Sequence, residues 1–121
     1  MANIRSAEFK KRLYKFVLRL VAFLDKIPKD QVSRRIADQL FRSGSSVLAN
    51  YVEGQSASSK RDFTNFLNHS LKSANESKMW TALLRDSGRS KSGEVAWLLS
   101  ELTEFSNILG SSILTLRGKR K

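Results

Sequence analysis

The chain predicts an all-α fold, an antiparallel up-down-up-down four-helix bundle, and three observations lead there. Apolar residues recur at intervals of three and four along four separate stretches, the stretches are joined by short polar connections, and no strand-like alternation competes with them. With 121 residues, a single domain spanning residues 1–121 is expected, burying about two thirds of the surface its unfolded chain exposes. No internal repeat of solenoid period is present.

In the first stretch Phe9, Leu13, Phe16, Val17, Leu20 and Leu24 form one stripe, with Ser6 placed as N-cap, and Lys11, Arg12, Lys15 and Arg19 fall on the opposite side of the wheel. Pro28 disfavours helical geometry at Ile27, so the spacing predicts a helix over about 6–26. Asp30 can cap a second helix over about 31–53, whose inner stripe is Val32, Ile36, Leu40, Ser43, Val47 and Tyr51 and which Gly54 is placed to stop. Phe41, Leu48 and Val52 make a second apolar strip on that helix, which calls for a second neighbour and hints at an oligomer.

After the polar loop Gln55 to Ser59, Ser59-Lys60-Arg61-Asp62 reads as a capping box with Asp in place of Glu, opening a third helix over about 60–86. Its stripe of Phe63, Phe66, Leu67, Ser70, Ala74, Ser77, Thr81 and Leu84 is bulky at the ends and small in the middle, which lets another helix approach closely; Asp86-Ser87-Gly88 closes it. A fourth helix over about 93–116 carries Val95, Leu98, Leu99, Leu102, Phe105, Leu109, Ile113 and Leu116 inward. Its outer charges are Glu94, Glu101 and Glu104, suited to a basic neighbour and repellent to phosphate. Trp97 and Ile108 lie off its core stripe and are candidate subunit contacts together with Phe41, Leu48 and Val52. A basic tail occupies 117–121.

The net charge is +11. Residues 1–42 carry eleven Lys and Arg against four acids, residues 43–88 five against four, and residues 89–121 six against three, for excesses of +7, +1 and +3. A field of that sign concentrates phosphate polymers or anionic membranes and makes their binding salt-dependent. Candidate nucleic-acid contacts are Lys11, Arg12, Lys15, Arg19, Arg34, Arg35, Arg42, Arg117, Lys119, Arg120 and Lys121, with Tyr14 able to stack on a base. A charge run can also be a solvated face. Here the large excess favours nucleic acid. A basic amphipathic helix could instead lie on a membrane, but the large apolar residues of the first helix are needed inside the bundle. Zinc-finger, RNP and basic-zipper patterns are absent, which points to backbone binding over base readout.

Zero cysteines exclude thiolate metal sites and thiol catalysis and give no sign of an oxidising compartment, so a cytoplasmic location is expected. The start, Met1-Ala2-Asn3-Ile4-Arg5-Ser6, lacks an apolar signal core, and no apolar run approaches the roughly 20 residues of a membrane span. His69 is the lone histidine, and Gly44 and Gly54 lack the lysine of a phosphate-binding glycine loop. Glu53 and Glu76 could work as an acid pair if packing brought them together; the alternative is that each serves a structural bond. The expectation is no enzyme, no cofactor and no metal.

The stretch SSVLANYVEGQSASSKRDFTNFLNHSLKSANE, from Ser45 to Glu76, carries a patterned set: Ser45, Ser46, Asn50, Glu53, Gly54, Asp62, Phe63, Phe66, Leu67, Ser73 and Glu76. This resembles the signature of the bacterial four-helix-bundle family named for the protein encoded in intervening sequences of large-subunit ribosomal RNA genes. The resemblance implies a homopentameric ring, which would bring 5 × 11 = 55 formal positive charges together. The high charge, the run Ile108-Leu109-Gly110-Ser111-Ser112 and the basic tail are similar to the related accessory variability determinant (Avd) branch of diversity-generating retroelements. That branch implies a nucleic-acid-binding scaffold that assists a reverse transcriptase in mutagenic retrohoming. The alternatives are an oligomeric protein-interaction scaffold and association with ribosomal RNA, the latter implied by the family's name.

Overall fold

A computed structural model describes residues 4–91 and 93–118, with the side chains of Ile4 and Arg5 left aside. Four helices account for most of it: α1 (Ile4–Leu24), α2 (Gln31–Gln55), α3 (Lys60–Asp86) and α4 (Gly93–Leu116). The described residues form an all-α four-helix bundle without strands. Each helix approaches the next in the chain, and α1 closes the ring of contacts against α4.

The cross-links fix the antiparallel order. Arg12 meets Glu101 and Arg19 meets Glu94, so α1 and α4 run in opposite directions. Ser43 meets Ser77 while the Val47 carbonyl meets Ser70, which reverses α3 against α2. Tyr51 reaches Ser6 near the start of α1 while Gly44, earlier in α2, lies against Leu20 near the end of α1, reversing α2 against α1.

The stripes read from spacing form the core, with shifts at their edges. Leu13, Phe16, Leu20, Leu40, Val47, Leu67, Ala74, Leu84, Leu98, Leu102, Phe105 and Leu109 are essentially inaccessible. Phe23, within α1, and Ile27, in the turn after it, are also buried, while Phe9, Val17 and Leu24 are only partly covered. On α2 the first inward residue is Ser33 rather than Val32, which is half exposed. The reason is the cap: Asp30 accepts from the Ser33 backbone N–H at 3.2 Å and from its Oγ at 2.7 Å, which turns Ser33 under the start of the helix.

Three helix limits differ from expectation, both ends of the first helix and the end of the second. The first helix spans Ile4–Leu24 rather than 6–26, so Ser6 is not a cap; it lies buried inside α1, where its Oγ accepts from the Tyr51 hydroxyl at 3.2 Å. Leu24 ends it because Lys26 and Ile27 bond three residues back in a tightened turn before Pro28. The second helix runs past Gly54 to Gln55, and Gly54 is a contact residue instead of a stop. A Cβ there would stand 3.1 Å from the Phe66 Cβ and 3.4 Å from Phe63 Cδ1. The third helix matches its expected limits: Ser59 accepts from the Asp62 N–H, and Gly88, at φ +76°, turns the chain as its N–H bonds to the Arg85 carbonyl.

Side-chain size sets how close each pair comes. Between α2 and α3 lie Ser43, Gly54, Ser70, Ala74 and Ser77, and these two helices make the most extensive backbone approach. Their buried hydroxyls are bonded: Ser43 to Ser77 at 2.7 Å, Ser70 to the Val47 carbonyl at 2.7 Å and Thr81 to the Ser77 carbonyl at 2.8 Å. Among the described residues no buried side-chain polar atom lacks a partner. Between α1 and α4 the fillers are rings: Phe16 meets Phe105 edge-on at 5.3 Å, Phe9 meets Phe105 at 5.8 Å, and Phe16 stacks near Trp97 at 6.2 Å. These two backbones come close at few places.

Two helical glycines should respond oppositely to alanine. At Gly44 a Cβ would lie 2.4 Å from Leu20 Cδ2, inside the core. Crowding there outweighs the gain in helix propensity, so Gly44→Ala should lose about 1 kcal/mol in urea unfolding. Nothing lies within 4 Å of the Cβ position at Gly110, and Gly110→Ala should gain about 0.5–1 kcal/mol.

The cap also predicts an acid dependence. The Ser33 hydroxyl, then the Ser33 backbone N–H, hold the Asp30 carboxyl below its ordinary value. A depressed folded-state value contributes stability above the ordinary carboxylate range, lost as pH falls through the folded-state value. Melting temperatures of the parent and Asp30→Ala should therefore differ at pH 7 and converge toward pH 3.

Candidate nucleic-acid interface

A helix that is cationic on its outside and apolar on its inside must still meet neighbours at its flanks, and on α1 the flank toward α4 carries Arg12 and Arg19. The Arg12 Nε donates to Glu101 Oε1 at 3.0 Å and its NH2 to Oε2 at 2.8 Å. Arg19 makes the same two-pronged pair with Glu94, both bonds 2.9 Å. The planar guanidinium matches the carboxylate fork, and each bond is charge-assisted. Arg19 also stacks on Trp97, its Cζ 3.7 Å from the ring centroid, and Arg12 lies 5.6 Å from the Phe105 centroid. The hydrogen bonds to Glu101 raise the Arg12 pKa above its ordinary value despite some burial.

This corrects the wheel placement of two nominated residues. Arg12 and Arg19 are half-covered seam residues on the edge of α1 because the acids of α4 are their nearest partners, whereas Lys11 and Lys15 remain on the outer face. Trp97, nominated as a subunit contact, is half-buried against the core beneath Arg19. Ile108 lines a cavity at one end of the bundle with Phe9, Tyr51, Phe63 and Leu67.

Arg42 bonds to Gln39 and to Glu76, and Glu76 also accepts from Trp80 Nε1 at 2.9 Å. The carboxylates of Glu53 and Glu76 are not brought together. Glu76 is level with Arg42, and 53 − 42 = 11 residues of helix place Glu53 about 16 Å away along α2. His69 is exposed, and no metal-binding group of three or more His, Asp or Glu occurs among the described residues.

Of the nominated cations, Lys11, Lys15, Arg34, Arg35 and Arg117 are exposed and enter no ion pair among the described residues. Lys119, Arg120 and Lys121 lie outside the described residues. Lys11, Lys15 and Arg34 fall in two groups on the α1–α2 face. Lys11 and Lys15, with Lys10, edge a shallow cavity of about 480 Å³ lined by Tyr14, Leu18, Leu48 and Val52. Arg34 and Lys29 edge another of about 410 Å³ beside Phe41, where Asp25 and Asp38 offset them. Between the groups runs an apolar strip: Tyr14 is 57% exposed, Leu18 54% and Phe41 47%, with Val21 and Val52 at 40%. Tyr14 thus stands beside lysines, where a base could stack on it.

The structure supplies two features that spacing missed. Phe23 joins the core, and Arg89, in the α3–α4 connection, donates from Nε to Ser33 Oγ at 2.8 Å and lies 3.7 Å from Asp30, tying that connection to the start of α2. The Asp30-x-x-Ser33 spacing signals the cap. Nothing in the sequence signals that Arg89 would be the residue to reach it.

Fold and surface together define a four-helix-bundle protein with an uncompensated cationic exterior. The family model described as the 23S rRNA-intervening sequence protein matches residues 5–111, and the chain belongs to that family. Among solved structures it is similar to a protein of unknown function from the S23 ribosomal protein family of Bacteroides thetaiotaomicron VPI-5482. That chain shares 32% identity, with 86% of this chain and 96% of the other covered and a TM-score of 0.80. No curated protein matches the sequence. The patterned residues now have structural roles: Gly54 admits Phe63 and Phe66, Leu67 is core, Asn50 donates to the Ser46 carbonyl, and Glu76 ties α3 to α2.

The Arg12–Glu101 pair should be measurable by a double-mutant cycle with Arg12→Ala and Glu101→Gln. Glu101 is only 15% exposed but Arg12 is 39% exposed, so solvent screening limits the expected coupling to about 1 kcal/mol in denaturant unfolding.

Proposed function

We propose that the protein is a non-enzymatic, oligomeric scaffold that holds nucleic acid by its phosphate backbone. The observation that carries the reading is electrostatic. Each ion pair sets one carboxylate against one cation, so pairing leaves the net charge of +11 undiminished, and Lys11, Lys15, Arg34, Arg35 and Arg117 are exposed. A polyanion is the counterion that relieves such an excess with the largest release of bound salt ions.

The phosphate contacts in this reading fall to Lys11, Lys15, Arg34, Arg35 and Arg117, with the basic tail adding to them, while Arg12, Arg19 and Arg42 hold helices together. Copies associate through the apolar strip, with Phe41, Leu48 and Val52 meeting a neighbour and Leu18 and Val21 extending the contact from α1. The assembly we favour is a pentameric ring. Its finer role is to position template RNA or complementary DNA for a reverse transcriptase, supported by the concentrated charge and by the likeness of the C-terminal segment to the retroelement branch. A second reading, association with ribosomal RNA, is favoured by the family match over residues 5–111.

Single-stranded RNA titrated at rising salt should lose affinity steeply. Lys11→Glu combined with Lys15→Glu should lower the slope of log affinity against log salt by about 1.4, roughly 0.7 for each single-strand phosphate contact removed. An unchanged slope and affinity would overturn the assignment. Ultraviolet absorbance of unwashed protein separates this scaffold from one that organises proteins alone, because only the former carries nucleic acid through purification.

A further inference from the structure

Where α1 ends, α3 turns into α4 and α4 begins, the bundle carries a cavity of about 620 Å³. Arg19, Lys26, Arg89 and Lys91 line it, against one carboxylate, Glu94. The remaining wall includes Phe23 and Ile27, both buried core residues, with Ala22 and Ser90. The cavity between Lys29 and Arg34 holds Asp25 and Asp38 and has no such surplus.

The four cations are of two kinds. The arginines are positioned: Arg19 by Glu94 and the Trp97 ring, Arg89 by Ser33 and Asp30. Neither uses all five of its N–H donors in those bonds. The lysines, Lys26 and Lys91, are exposed and enter no ion pair among the described residues, so their ammonium groups are free to close on an incoming anion. Glu94 is matched by Arg19, to which both its oxygens are bonded, so the surplus charge of the cavity rests on the two lysines.

A phosphate monoester suits this arrangement better than a phosphodiester. Near pH 7 it carries a charge between about −1.5 and −2 and three acceptor oxygens, whereas a diester carries a single charge. The cavity also lies at an end of the bundle, where a strand terminus can enter, and its apolar wall of Phe23, Ile27 and Ala22 suits the sugar or base of a last nucleotide.

We infer that this cavity binds a terminal phosphate monoester, carried by the end of a nucleic-acid strand or by a free mononucleotide. The strand-end form rests on the nucleic-acid reading above. The test uses 12-nucleotide single-stranded RNAs of one sequence, ending in a 5′-phosphate, a 3′-phosphate or hydroxyls alone, measured by fluorescence anisotropy at fixed low salt. One phosphorylated strand should bind about tenfold tighter than the hydroxyl-ended strand, as expected for added charge-assisted bonds. In the Lys26→Ala, Lys91→Ala double variant, which removes two exposed side chains, that advantage should fall below about twofold while hydroxyl-ended binding changes far less.

Equal binding of all three strands to the parent protein overturns the cavity assignment and leaves the scaffold reading standing. Failure of every strand to bind overturns the scaffold reading instead. The cavity is then decided by titrating a nucleoside 5′-monophosphate while following amide chemical shifts of residues 89–94. Shifts that disappear in the double variant support the site, and no shifts overturn it.

Discussion

The pairing of α1 with α4 is the constraint on which the surface of this protein depends. The most cationic segment of the chain packs against a helix whose only charges are acidic. Their seam is filled by aromatic rings, which hold the backbones apart, and is closed at the rim by two forked arginine–glutamate pairs, with Arg19 lying on Trp97. Lysines at those two positions could not make the same bonds, since a lone ammonium lacks the planar fork. The seam therefore selects which cations are turned inward and which remain available to a partner.

The opposite side of the bundle obeys a different rule. Between α2 and α3 the residues are small and many carry hydroxyls, so the helices approach closely and each buried oxygen must find a partner at short range. The patterned segment from Ser45 to Glu76 encodes this approach through the absent side chain of Gly54, the rings of Phe63 and Phe66 and the cross-helix bond of Glu76. Asn50, Gly54, Phe63, Phe66, Leu67 and Glu76 of that pattern are thus accounted for by packing and by hydrogen bonds within and between helices. What distinguishes this chain chemically lies outside it, in the lysines and arginines of α1 and the two ends of the bundle.

These rules produce a surface that is not uniformly basic. Along the α1–α2 face, lysines gather at one end, arginine and lysine stand beside aspartates at the other, and an apolar strip lies between. Such a face is suited to a contact between macromolecules, with polar groups at its margin and exposed apolar area at its middle. The positive cavity near the α3–α4 connection is separate from it, built from the far flank of α1 and the start of α4. On the proposed reading, the protein would assemble through the apolar middle of the α1–α2 face while holding phosphate at the lysines on its margin and at the separate cavity.

Periodicity determined the helix count, their order and nearly all of the core, and the residue types at Asp30 and Ser59 determined the capping of α2 and α3, because each depends on residues within a few positions of one another. Its errors at the start of α1 and the end of α2 are of one kind: Ser6 and Gly54 have the residue types of local boundary signals, yet Tyr51 and the Phe63 and Phe66 rings give them tertiary contacts within the helix. The excess of positive charge was equally legible, as a sum over composition. Which cations remain free was decided only in three dimensions. A helical wheel records a residue's angle but not its neighbour, and Arg12 and Arg19 found carboxylates on a helix 75 to 89 positions away. The cavity formed by Arg19, Lys26, Arg89 and Lys91 has the same origin, since only packing brings the end of α1 to the α3–α4 connection.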